Sequence, residues 1–222
     1  MPQELRDAIV AAGQSMLAEG LVIGSAGNIS ARGPVPGTMC ITPSRMSYKA
    51  MTPAHVVTVT FEGDPVEGAS LPSSESLLHG AIYRARPEVR AVLHAHPIFA
   101  SVLAVRHERI PPIADEQVVY LGGAVEVSAY APPGSDGLAR NAVQALGPRA
   151  AVLLANHGTV AVGGSPEHAL EITRLVERLA RIWYFAAARP GAQMLPDDLV
   201  AAETELYAML HRSEVPDAPE GS

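Results

Sequence analysis

Two histidines stand two positions apart at the end of an apolar run, within residues 89–97. The β-branched and apolar residues of this run predict a buried strand, which Pro97 ends because proline cannot donate to a sheet ladder. Side chains of a strand alternate between its two faces, so His94 and His96 share one face and could bind one divalent ion. An isolated His-x-His pair also occurs by chance. Further ligands must therefore come from elsewhere in the chain.

A third imidazole and a carboxylate come from two other segments. His157 follows residues 151–155, an apolar stretch that predicts a second buried strand, and alone it would more often be a hydrogen-bonded core histidine. Glu75 opens a predicted helix for which Ser73 or Ser74 is the expected N-cap. Three nitrogen ligands and one oxygen ligand suit a catalytic zinc ion, and three protein nitrogens leave room for water or substrate.

Two segments could hold an anion. Residues 21–30 contain Gly24 and Gly27, which let backbone amides approach a ligand, and the Asn28 and Ser30 side chains add donors; a plain Gly-rich hairpin fits equally well. The helix start at Ser73-Ser74-Glu75 offers free amides and hydroxyl groups, which favour anions. Its alternative is an ordinary capped helix.

The length and composition of the chain limit the class of protein in which these residues occur. The chain has 222 residues, of which 48% are apolar and 18% charged, so we expect one globular domain over 1–212 and a loose tail over 213–222. A net charge of −7 gives no basic surface for nucleic acid, and no apolar run reaches membrane-spanning length. Cys40 is the single cysteine, which excludes an internal disulfide and a cysteine-based zinc site. The amino terminus lacks the apolar core of a signal peptide, which favours a cytoplasmic enzyme or binding protein.

Several helices should frame the predicted strands. Apolar spacing predicts helices over 3–19, 98–105, 137–146 and 197–211, and Ser165-Pro166-Glu167 is a strong helix start. Residues 110–120 carry two adjacent acids in apolar surroundings and fit no clear pattern.

Five short motifs together resemble a known family. Gly-Asn-Ile-Ser around Asn28, Thr-Pro-Ser ending at Ser44, Pro-Ser-Ser-Glu ending at Glu75, His94-Ala95-His96 and Asn156-His157-Gly158 have the order and spacing of the class II aldolase/adducin family. The resemblance covers about residues 4–190 and is strongest to the L-fuculose-phosphate aldolase branch. It implies a three-layer α/β/α fold with a central, mainly antiparallel sheet. It also implies a C4 homotetramer with its active sites at subunit interfaces.

The resemblance also implies roles for individual residues. His94, His96 and His157 match the zinc-binding histidines, although manganese or cobalt could replace zinc. Glu75 matches the acid that ligates the metal at rest and acts as acid/base when substrate displaces it. The groups that match the family's phosphate site are Asn28, Ser44, Ser73 and Ser74. The implied reaction cleaves a ketose 1-phosphate to dihydroxyacetone phosphate and an aldehyde through a metal-stabilised enediolate.

Two departures leave the reaction open. Arg45 stands where the fuculose-phosphate aldolases have glycine, and it could clamp a phosphate or carboxylate or crowd the pocket and select another substrate. Glu116 falls near the position of the aldolases' tyrosine acid, which a neighbouring subunit supplies, and resembles the arrangement in the methylthioribulose-phosphate dehydratase branch. A carboxylate is the better base near neutral pH, although Tyr120 could still supply a phenol, and Asp115 and Glu116 could simply face solvent in a loop. Dehydration, decarboxylation or epimerisation at the same metal site therefore rivals aldol cleavage. A non-catalytic module like the adducin head would be expected to have a degenerate site, whereas this ligand set is intact.

Overall fold

A computed structural model describes residues 2–212, and the predicted loose tail at 213–222 lies outside the described residues. The helices in this part of the chain are α1 (Gln3–Ala18), α2 (Ser76–Ala85), α3 (Ile98–Arg106), α4 (Asp115–Leu121), α5 (Asp136–Leu146), α6 (Pro166–Ala187) and α7 (Asp197–Arg212). The strands are β1 (Asn28–Arg32), β2 (Thr38–Ile41), β3 (Val57–Thr60), β4 (Pro65–Glu67), β5 (Ala91–Ala95), β6 (Glu126–Ser128), β7 (Ala151–Leu154) and β8 (Gly158–Gly163).

The eight strands form one sheet in the order β4-β3-β2-β1-β5-β8-β7-β6. Every neighbouring pair is antiparallel except β6 and β7, which run parallel. Helices α1 and α6 pack together on one face, and α2 and α5 pack together on the other. The predicted α/β/α fold with a mainly antiparallel sheet is confirmed.

Strand alternation separates the apolar core from the polar centre. In β1, Ile29 and Ala31 face the α1 layer, where they pack among buried apolar residues. The alternate residues Asn28 and Ser30 face α2 and are buried there. Antiparallel pairing places Asn28 opposite His94 of β5. Two central strands thus present polar side chains to α2 at the same level of the sheet.

Two local predictions need revision. Ser73 and Ser74 do not cap α2, because the N-cap residue is Glu75 and no side chain makes the cap hydrogen bond. The Ser73 hydroxyl instead accepts from the Glu75 amide at 3.3 Å, which orders the approach to the helix. The unplaced acidic segment contains the short helix α4, which begins after Ala114 without a side-chain cap. The predicted cap at Ser165 is confirmed, since its hydroxyl accepts from the amide of His168.

None of the helices within residues 2–212 combines the length and apolarity that crossing a membrane requires.

Candidate metal centre

His94 is fixed in one tautomer by the sheet. Its ring is completely buried, and Nδ1 lies 3.0 Å from the carbonyl oxygen of Thr159 on β8. A carbonyl only accepts, so Nδ1 carries the proton and Nε2 presents a lone pair to the space beyond the strand. The pKa of His94 lies well below its ordinary value because burial and the neighbouring His96 and His157 disfavour the charged ring. Neutral imidazole is the form that binds a metal.

His96 and His157 bring their rings to the same point. His96 follows β5, and its Nε2 lies 2.8 Å from Nε2 of His94. His157 sits in the turn between β7 and β8, where Asn156 adopts the left-handed backbone at a φ of 56°. A Cβ atom on Gly158 would lie 2.6 Å from Cδ2 of His96, so only glycine leaves room for that ring. One ligand nitrogen from each of the three histidines lies within 4.8 Å of the others.

Glu75 completes the cluster from the start of α2, whereas the three histidines come from the sheet. Its carboxylate is buried at the start of α2, with Oε2 at 3.1 Å from Nε2 of His94 and Oε1 at 3.5 Å from Nε2 of His157. Asn28 donates from Nδ2 to Oε2 of Glu75 at 2.9 Å. The Asn28 amide therefore helps to hold the Glu75 carboxylate next to the histidines.

The donor atoms fit a divalent cation. The lone pair of His94 Nε2 faces Oε2 of the Glu75 carboxylate at 3.1 Å, and these two groups repel each other unless a positive charge lies between them. Oε1 of Glu75 is buried and has no hydrogen-bond partner among residues 2–212, as expected of an oxygen that ligates a metal. Tetrahedral zinc with bonds of about 2.05 Å separates two ligand nitrogens by about 3.3 Å, within the range seen here. Nitrogen and oxygen ligands of this kind also bind manganese and cobalt.

The predicted phosphate residues lie on two loops, 42–45 and 71–74, that backbone hydrogen bonds join; we call them the phosphate loops. The amide of Ser44 donates to the carbonyl oxygen of Leu71 at 2.8 Å, and the amide of Ser73 donates to that of Thr42 at 3.2 Å. Ser73 is buried, Ser44 is half-buried and Ser74 is exposed. The backbone hydrogen bonds therefore hold the segment of Ser44 against the segment that leads into Glu75, where the Ser73 hydroxyl accepts from the Glu75 amide.

Arg45 and Glu116 occupy exposed positions. Arg45 follows Ser44 with a φ of 59°, in the left-handed region that favours glycine, and its side chain is exposed. Glu116 lies on α4 and pairs with Arg178 of α6 at 3.3 Å. Within residues 2–212, no hydrogen bond or ion pair joins Glu116 to the histidine cluster. The structure thus brings together the histidines, Glu75 and Asn28, and leaves Glu116 outside that group.

Residues 7–184 match the family described as the class II aldolase and adducin N-terminal domain. The chain belongs to this family. Membership implies lyase activity on sugar phosphates and the use of a divalent metal, which agrees with the histidine cluster. A 5-deoxy-D-ribulose 1-phosphate aldolase from Bacillus thuringiensis is 33% identical over 196 residues, which cover 88% of this chain and 92% of that protein.

Solved structures show the same similarity. An L-fuculose 1-phosphate aldolase superimposes with a TM-score of 0.88 and 32% identity, covering 94% of this chain and 98% of that one. The Klebsiella pneumoniae protein YgbL, described by three candidate activities (aldolase, epimerase and decarboxylase), has a TM-score of 0.82 and 30% identity, covering 91% and 99%. Both similarities extend over nearly the whole class II aldolase fold.

One residue at the site escaped sequence reasoning. His79 is completely buried on α2, and its Nε2 lies 2.6 Å from Oδ1 of Asn28. Its signal in the sequence is its spacing of four residues from Glu75, which places both side chains on one face of a helix.

Proposed function

We propose that this protein is a divalent-metal-dependent aldolase that cleaves a ketose 1-phosphate to dihydroxyacetone phosphate and an aldehyde. The observation that carries the proposal is the convergence of His94, His96 and His157 on one point, with the Glu75 carboxylate 3.1 Å from His94. Zinc is the metal that this donor set favours.

The bound cation would supply Lewis-acid polarisation of the substrate carbonyl. The chain's own residues would bind the phosphate and move the protons. Cleavage between C3 and C4 requires a base to take the proton of the C4 hydroxyl and an acid to deliver a proton to C3. Glu75 lies beside the metal ligands, and we assign it the proton at C3.

The phosphate would bind on the phosphate loops. Ser44, Ser73 and Ser74 offer hydroxyl donors, and Arg45 adds a guanidinium group next to Ser44. Asn28 directs its amide at Glu75, so a phosphate contact from Asn28 requires that amide to exchange partners. A phosphorylated sugar also suits the cytoplasmic location that we propose.

The sugar is a short ketose 1-phosphate. The relatives named above act on 5-deoxy-D-ribulose 1-phosphate and L-fuculose 1-phosphate, which share C1 phosphate and C2 carbonyl groups but differ beyond C4. The loops and the metal centre would recognise the shared half. The two substrates should therefore differ in kcat/KM mainly through contacts to the distal carbons.

A second candidate reaction is dehydration, decarboxylation or epimerisation at the same metal centre. Glu116 favours it, because a carboxylate ionises far below the ordinary pKa of about 10 that a phenol has and is the better base at neutral pH. The similarity to a protein described as aldolase, epimerase or decarboxylase points the same way.

We further propose a homotetramer with its active sites between subunits. Large apolar side chains are exposed on α6 and α7, and they are Ile182, Tyr184, Phe185, Leu206, Met209 and Leu210. Large apolar side chains left exposed on a folded protein are typical of a surface that another subunit covers. Light scattering on the purified protein tests the assembly, and a mass of one subunit would contradict it.

The activity test compares three substrates with and without a chelator. Purified protein is incubated with L-fuculose, D-ribulose and 5-deoxy-D-ribulose 1-phosphates, and released dihydroxyacetone phosphate is measured with a coupled reductase. We expect chelator-sensitive release from at least one of them, restored by zinc, manganese or cobalt. Loss of substrate without release of dihydroxyacetone phosphate would favour the second candidate.

A further inference from the structure

A chain of buried hydrogen bonds runs behind Glu75. Asn28 donates to Glu75 at 2.9 Å, and Nε2 of His79 lies 2.6 Å from Oδ1 of Asn28. Nδ1 of His79 lies 2.6 Å from the hydroxyl of Ser30, which lies 2.8 Å from the hydroxyl of Tyr83. His79, Ser30 and Tyr83 are at most 1% exposed. No step of the proposed reaction uses these three side chains.

The direction of every hydrogen bond in this chain follows from its chemistry. The Glu75 carboxylate accepts, so Asn28 turns Nδ2 toward it and Oδ1 toward His79. Oδ1 can only accept, so Nε2 of His79 carries the proton. Burial lowers the pKa of His79 to about 3, so the ring is neutral and Nδ1 accepts from Ser30. Ser30 then accepts from Tyr83, and all donors point toward Glu75.

Helix and strand geometry set the contacts in register. Glu75, His79 and Tyr83 are four residues apart and form one stripe of α2, and four residues of a helix rise about 6 Å. Asn28 and Ser30 are two residues apart on one face of β1, and two residues of a strand span about 6.7 Å. These similar repeats let the two rows interdigitate along their length.

We propose that His79 is a positioning residue of the metal centre, whose Nε2–H fixes the amide of Asn28 and thereby the carboxylate of Glu75. The inference rests on the proposed function in assigning Glu75 to the metal and the proton at C3. Asn28 interrupts the chain with an amide, which does not relay protons at neutral pH. The chain therefore orients Glu75, and it does not conduct a proton from Tyr83.

A double-mutant cycle tests the proposal. His79→Leu removes both ring nitrogens at similar volume, and His79→Gln restores a side-chain donor at the position of Nε2. Each is made in the wild-type chain and in the Asn28→Ala background. Thr173→Val is the matched control, since Thr173 is also fully buried but its hydroxyl, among the residues that the structure describes, bonds only to the carbonyl of Ala169 in its own helix.

The readouts are zinc affinity, measured by competition with a chromogenic chelator, and kcat and KM of the zinc-loaded enzyme. We expect His79→Leu to lower zinc affinity and kcat by about 10-fold, the lower end of the effect of losing the direct partner of a metal ligand, because His79 acts on Glu75 through Asn28. KM should stay within about threefold, since the phosphate loops are untouched. His79→Gln should recover most of the loss, and Thr173→Val should resemble wild type.

In the Asn28→Ala background, His79→Leu should change zinc affinity and kcat by less than about twofold, because its effect passes through Asn28. Equal losses in both backgrounds would overturn the proposal, as would wild-type behaviour of His79→Leu. Should His79→Leu fail to fold, Ser30→Ala and Tyr83→Phe replace it, with smaller losses of the same kind expected and wild-type values overturning the inference.

Zinc affinity separates this inference from the proposed function. A protein that cleaves no ketose phosphate but shows the predicted cycle in zinc affinity keeps the positioning role and loses the aldolase assignment. Nitrogen NMR of the metal-free protein adds a readout without substrate. It should find His79 neutral with the proton on Nε2, and the proton on Nδ1 would overturn the proposal.

Discussion

His79 should make the metal-free protein sensitive to mild acid. Burial is the largest cause of its lowered pKa, and the nearby His94 lowers it further while Glu75 partly offsets both, leaving a pKa of about 3 against an ordinary 6.5. The unfolded chain therefore takes up a proton on this ring at a higher pH than the folded chain does. Stability is fully present above pH 6.5 and is lost as the pH falls toward the folded pKa.

The magnitude follows from the two pKa values. Each pH unit between them costs about 1.4 kcal/mol, so at pH 5 the ring destabilises the fold by about 2 kcal/mol relative to neutral pH. For a chain of this length that corresponds to about 4–8 °C in Tm. His79→Gln has no titrating group at this position and should lack this part of the pH dependence.

The assay is thermal unfolding of both proteins in chelator, at one protein concentration, near neutral pH and near pH 5. The wild-type Tm should fall by about 4–8 °C more than the variant's over this interval. The difference between the two pH dependences cancels the other titrating groups, including His94 and His96, and any constant cost of the substitution. Parallel pH dependences would refute the reasoning, because they would show that His79 titrates alike in both states.

The other predictions concern the metal centre and its rim. Glu75→Gln should lower kcat by about 10²- to 10⁴-fold in steady-state assays of zinc-loaded enzyme, since an amide cannot transfer the proton, and retention of a tenth of the activity would contradict this role. Gly158→Ala should weaken zinc binding by about 10-fold or more in chelator competition, because the new methyl group would clash with the carbonyl oxygen of Ala95 and lie 2.6 Å from Cδ2 of His96. Unchanged affinity would mean that the end of β5 and the ring absorb the shift. Arg45→Gly should raise KM about 10-fold at similar kcat while leaving Tm unchanged or higher, since glycine relieves the left-handed backbone, and an unchanged KM would remove Arg45 from the phosphate site. If the second candidate reaction is the one catalysed, Glu116→Gln should abolish nearly all turnover while the histidines still bind zinc, as a metal assay can verify, and wild-type turnover would exclude that role for Glu116.

Sequence reasoning located the histidine cluster because its members follow apolar runs with clear ends. Pro97 ends the run that carries His94 and His96, and His157 follows another run of the same kind. Such local signals do not reveal that β5 and β8 are neighbours. The spaced motifs of a resembling family supplied that information.

Other features depend on which strands pair or on weak local preferences, and the pattern of residues along the chain shows neither. His79 sits four residues from Glu75, but its role became visible only when β1 presented Asn28 and Ser30 to it. Helix α4 is seven residues long and has no side-chain cap, so a periodicity search lacks a signal for it. The left-handed backbone of Arg45 is not indicated by the arginine itself, and its one signal was that resembling aldolases have glycine at this position.

The pairing of β1 with β5 limits how this chain can change in length. Asn28 and Ser30 reach α2 only because every second residue of β1 faces that way, while Ile29 and Ala31 face α1. Inserting or deleting one residue within β1 would turn the Asn28 amide into the apolar α1 layer and Ile29 toward the Glu75 carboxylate. Length changes should instead accumulate in the connection at 33–37, beyond the end of the strand. A library of single-residue insertions, sorted for zinc retention, should therefore tolerate that connection and reject the strand beside it.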